Sequence, residues 1–148
     1  MNAFDLKHTL LAPHAQHPVI VHFPIALFMM SYVFDVLGVW RRNPALVIAA
    51  RYNLNVAALA APLALLTGLI AWQWKHEGEA LKGNLRLHLV GALCSAGLIW
   101  ALCWRRRRQQ TFSLNGNEES PNAGYFGLGL CTLIVIALTA HLGGVVAG

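Results

Sequence analysis

The 148-residue chain is 57% hydrophobic and only 11% charged, well below the roughly 25% charge of a soluble domain. Its net charge of +5 suits anionic lipid headgroups. Neither a recognition module nor a basic surface helix accompanies it, so nucleic acid is excluded as a partner. In lipid only helices and closed barrels satisfy every backbone group, and the alternation of a barrel is absent.

The start, MNAFDLKHTLLAPHAQHP, is polar and carries histidines, so no cleaved leader is expected. It suits the membrane interface, with Phe4, Leu6, Leu10 and Leu11 toward lipid, although Pro13 and Pro18 limit any helix there. A bilayer core of about 30 Å takes roughly 20 helical residues. Residues 19–40 meet that length, with Asp35 as the one acidic group. Further spans follow at 52–74, 87–104 and 123–147, the third being the shortest. Pro24 and Pro62 free carbonyls locally and bend their helices. Between the last two spans, QQTFSLNGNEESPN reads as a flexible loop. The expectation is one all-α domain over residues 1–148: an integral membrane four-helix bundle, up-and-down, with both termini on the outer side.

That orientation comes from the cations. Arg41, Arg42, Arg51 and the run Arg105 to Arg108 fall on one side, against Lys7, Lys75, Lys82 and Arg86 on the other. Basic loops stay in the cytoplasm, which predicts a multi-pass protein of the bacterial inner membrane. Trp40, Tyr52, Trp74 and Trp104 sit near span ends, where amphipathic rings suit the interface. Cys94, Cys103 and Cys131 form no C-x-x-C or C-x-x-C-H motif, which argues against covalent c-type heme. They read as small buried apolar residues.

The seven histidines, His8, His14, His17, His22, His76, His88 and His141, all fall toward the outer side of this topology. Three spans deliver His22, His88 and His141 to a similar depth. Each alone is explained by a hydrogen bond between helices, but shared depth points to a shared site. Imidazoles suit a non-covalent heme b, or else zinc or copper; the remaining alternative is no cofactor. In an up-and-down bundle the first and third helices are diagonal. With neighbouring axes about 8–10 Å apart, the diagonal is about 13 Å. His22 and His88 then approach one iron from opposite sides, with His141 an alternative or a supporting group. Ala26, Gly91, Ser95, Ala137 and Gly144 leave space beside them, and Lys82 and Arg86 are candidates to meet propionates. Asp35 lies about 140° around the helix from His22. Arg51, Asn53 and Asn55 are its expected partners, in a structural role.

HPVIVHFPIAL, residues 17–27, resembles the opening motif of the bacterial membrane-protein family named domain of unknown function number 2231. The resemblance extends through Asp35, Gly38, Thr67, Gly68, Trp72, Gly143 and Gly144, and so spans nearly the whole chain. That family often has Thr-Gly-x-x-Asp-Trp in its second helix, where this chain has Thr67-Gly68-Leu69-Ile70-Ala71-Trp72. It also often continues past Gly-Gly to a histidine-containing tail, while this chain ends GGVVAG. Any proton-coupled role tied to those positions is therefore in doubt. Members can occur beside redox modules, which implies electron transfer without establishing an activity.

Two functions compete on these grounds. One is a small membrane b-type cytochrome that exchanges electrons near the outer face with quinol or a redox protein. The other is a non-redox assembly, metal-binding or transport subunit, with homo-oligomerisation supplying surface that four short-looped spans lack. Either way an accessory subunit is favoured over a stand-alone enzyme.

Overall fold

The computed structural model describes residues 13–75, 83–112 and 121–147. They form four helices: α1 (Pro13–Trp40), α2 (Pro44–Lys75), α3 (Gly83–Phe112) and α4 (Ala123–Ala147). Each contains a stretch long and apolar enough to cross a membrane: Gln16–Trp40, Pro44–Gln73, Gly83–Gln109 and Ala123–Val145. No more than 28% of any such stretch is buried in the bundle. The remaining apolar surface, including Leu59, Leu63, Leu66 and Leu138, faces outward, which lipid tolerates and water does not. Phe4, Leu6, Lys7, His8, Leu10, Leu11, His76, Lys82 and the loop 113–120 lie outside the described residues, as does the side chain of His14.

Three helices, α1, α2 and α3, outrun their hydrocarbon-length spans, and in α2 and α3 local capping and propensity carry them on. α2 starts at Pro44, where Asn43 accepts the Ala45 N–H on Oδ1 at 3.0 Å and proline takes the first helical position, which needs no N–H. α3 continues through Arg105 to Arg108 as far as Phe112, since arginine is a good helix former. α1 ends in a Schellman motif, with the Asn43 N–H reaching Gly38 O at 2.9 Å and the Arg42 N–H reaching Val39 O at 3.3 Å. Arg42 holds the left-handed position with φ 50°, and the tight turn brings Val47 against Gly38. α4 is capped by Asn122, whose Oδ1 accepts the Tyr125 N–H at 3.0 Å.

The helices run up and down, each packed against its chain neighbour, and α4 closes against α1. α1–α2 is the most extensive interface and α1–α4 the smallest. α1 and α3 are therefore diagonal. Phe28, Leu54, Ile99, Leu102, Tyr125 and Ile136 fill the centre with Ala57 and Ala58. At the end that carries the arginines, Arg41, Arg51 and Arg108 lie over the rings of Trp40, Tyr52 and Trp104, as amphipathic groups do at a membrane interface.

The buried ion pair at this end differs from the sequence expectation. Asp35 is fully buried, and its Oδ2 accepts from Arg106 Nη1 at 2.6 Å and from the Tyr125 hydroxyl at 2.9 Å. Arg106 also donates through Nη2 to Val47 O at 3.1 Å, so one guanidinium ties together α1, α2 and α3. Arg51, Asn53 and Asn55 are not the Asp35 partners recorded; Asn55 accepts from Cys103 and Arg107 instead. The rotation of α3 selects Arg106, the one member of the arginine run that falls on its inward face. A charged pair is costly in lipid unless each charge is matched.

Candidate functional site

The opposite end of the bundle is hollow. A cavity of about 430 Å³ lies between all four helices, within the range of small-molecule and cofactor sites. Small residues open it: Ala61, Ala64 and Gly68 on α2, Ala92 and Ser95 on α3, Ala140, Gly143 and Gly144 on α4. Among the described residues none that lines it is Asp, Glu, Lys or Arg, and its polar groups include three histidines, His17, His22 and His88.

His17 and His88 are seated in the same way. The His17 ring lies on Gly68, where a β-carbon would come within 2.9 Å of its Cε1, and the His88 ring lies on Gly143, with a corresponding 2.8 Å. His17 Nδ1 is 3.1 Å from Thr67 Oγ1, whose own hydroxyl donates to Ala64 O at 2.9 Å. His88 Nδ1 is 2.9 Å from Thr139 O. Each imidazole thus reaches from a diagonal helix onto the glycine of its hairpin partner.

These partners fix the tautomers. Carbonyl oxygens only accept, so His88 carries its proton on Nδ1 and donates it to Thr139 O. The Thr67 hydroxyl hydrogen is used on Ala64 O, so that oxygen accepts from His17 Nδ1–H in turn. His22 Nδ1 donates to Pro18 O within its own helix. In its neutral form each ring then keeps a lone pair on Nε2, the arrangement in which a hydrogen bond at one ring nitrogen orients the other toward a metal.

Of the sequence candidates, His22 and His88 line this cavity; His141 and Arg86 are exposed and do not. Lys82 lies outside the described residues. His17, two residues ahead of the span expected from Val19, falls inside α1. Helical spacing was the signal that could have recovered it. Positions 17, 24, 28, 31, 35 and 38 form one stripe, and Pro24, Phe28, Ser31, Asp35 and Gly38 in that stripe are buried. His22 lies off that stripe and is exposed.

Among the described residues no three His, Cys, Asp or Glu side chains cluster closely enough to hold a bare metal ion. No curated protein and no solved structure matches the chain. A family model described as predicted membrane protein (DUF2231) matches residues 13–147. With four membrane-spanning helices accounting for nearly all of that length, the chain belongs to the DUF2231 family of membrane proteins.

Proposed function

We propose that the protein is a membrane b-type cytochrome that transfers electrons near one face of the bilayer, with a non-covalent heme held in the cavity between His17 and His88. The observation that carries this reading is the matched seating of those two rings on Gly68 and Gly143. Both arise from diagonal helices, both have Nδ1 engaged, and both keep an Nε2 lone pair. A porphyrin iron needs only two axial imidazoles, whereas a bare zinc or copper ion needs a larger ligand cluster. The α1 ligand in this reading is His17 rather than His22, whose Nδ1 bond is to its own helix.

Heme b would supply a one-electron iron couple. The chain's own contribution is to orient the imidazoles and limit water with Ile25, Leu65, Leu89 and Ile136. A buried, low-dielectric setting of this kind tunes the couple. The basic residues at the far end set the orientation: by the positive-inside rule that end is cytoplasmic in an inner membrane, and the cavity with both termini faces outward. One site near one face serves local exchange with a quinol or an outer-side redox protein, not transfer across the whole bilayer.

The direct test is heme uptake. Protein purified after expression with ample heme should show a sharp reduced b-type band at one heme per chain. A colourless product that also fails to take up added hemin would overturn the proposal.

A further inference from the structure

We infer that the cavity opens sideways into the bilayer between α1 and α4 and receives there the headgroup of a membrane-soluble hydroquinone, one hydroxyl of which donates to Nε2 of His22. This deepens the electron-transfer reading by choosing between its two exchange partners and giving the chosen one a binding place, and it concerns binding alone. It takes from that reading only the relevance of a redox-active ligand, and the binding itself rests on the cavity.

The opening follows from where α1 and α4 touch. Their recorded contacts lie at the arginine-bearing end: Tyr32 against Gly129 and Phe126 O, and Tyr125 on Asp35. Toward the histidine end four of the five exposed cavity-lining residues lie on these two helices, Pro18 and His22 on α1, Ala140 and Gly144 on α4; the fifth is Leu69 on α2, and α3 contributes none. A seam of proline, alanine and glycine leaves a gap where side chains elsewhere close the bundle. At Gly144 a β-carbon would meet nothing within 4 Å.

The walls select the occupant. Among the described residues they carry no charge, so those walls offer a charged headgroup no compensation. His22 has its Nδ1 proton committed to Pro18 O, so its Nε2 accepts and requires a donor from the ligand. Entry from lipid requires an apolar body. A neutral hydroquinone with an apolar tail meets all three conditions, and its second hydroxyl is free to face the interior, which a fatty alcohol cannot reproduce.

Full-length protein in phosphatidylcholine nanodiscs, titrated calorimetrically with a decyl-tailed hydroquinone against empty nanodiscs, tests this. Saturable binding at one per chain is expected. His22→Phe and Gly144→Phe should each raise Kd about tenfold or more, with Ala140→Phe repeating the block if Gly144→Phe does not fold. Gly127→Phe, on the same helix where a β-carbon also meets nothing within 4 Å, should bind as the unmodified protein does. The inference is overturned by any of four results: no saturable uptake beyond empty nanodiscs, equal binding of decanol or of the di-O-methylated compound, folded portal variants that bind normally, or equal weakening by Gly127→Phe. Heme content measured on the same samples separates the two proposals, since saturation without heme defeats the cytochrome reading and leaves this one standing.

Discussion

Eighteen residues separate His88 from Arg106 on α3, five whole turns at about 3.6 residues each, so the two side chains leave the same face of the helix. The same interval separates His17 from Asp35 on α1. The ion pair at one end of the bundle therefore fixes the rotation of the two diagonal helices, and with it the direction from which each imidazole enters the cavity at the other end. Breaking the pair should act on both. Asp35→Asn and Arg106→Leu each leave a buried partner uncompensated, and should destabilise the purified protein by about 3–5 kcal/mol. The double replacement by leucine should recover much of that loss. Thermal unfolding in one detergent, across the single and double variants, measures the coupling.

The glycines under the two histidines give a second prediction. At Gly68 and Gly143 an added β-carbon would strike an imidazole ring rather than backbone, so the ring moves and the fold persists. Gly68→Ala and Gly143→Ala should each weaken heme binding by about 10–100-fold, the usual cost of losing a supporting group around a metal ligand. Thr67→Val, which removes the acceptor of His17 Nδ1–H, should do the same. Hemin titration gives the affinities, with circular dichroism confirming unchanged helix content.

A third concerns the α1–α2 turn, which asks a non-glycine residue to adopt a positive φ. Arg42→Gly removes a left-handed strain of about 1 kcal/mol, leaving the Asn43 to Gly38 and Arg42 to Val39 backbone bonds in place. A rise of the thermal midpoint is expected, read by the same unfolding measurement.

The four helices were legible in the sequence because hydrocarbon thickness and the scarcity of charge leave little else possible. The hollow histidine end was legible in part, since His22 and His88 announce themselves by depth. What one-dimensional reading lost was rotation. Arg106 sits in a run of four arginines that reads as a headgroup-facing cluster, and only its place in the inward stripe with Ser95, Ile99 and Leu102, all buried, marks it out. His17 was hidden because the apolar interval begins only at Val19, whereas α1 starts at Pro13 and carries His17 into the bundle. His141 shares the depth of the others but not the face. Depth follows from residue number, whereas facing depends on how α4 packs on α3 through Gly91 and Thr139.

The measurement closest to the central claim is the low-spin heme signal of the purified protein and its His17→Ala, His88→Ala, His22→Ala and His141→Ala variants, recorded by visible and electron paramagnetic resonance spectroscopy at equal heme loading. The account predicts a bis-imidazole low-spin signal that is lost or converted to high spin in His17→Ala and His88→Ala, and retained in His22→Ala and His141→Ala. Retention of the low-spin signal in either His17→Ala or His88→Ala would contradict it.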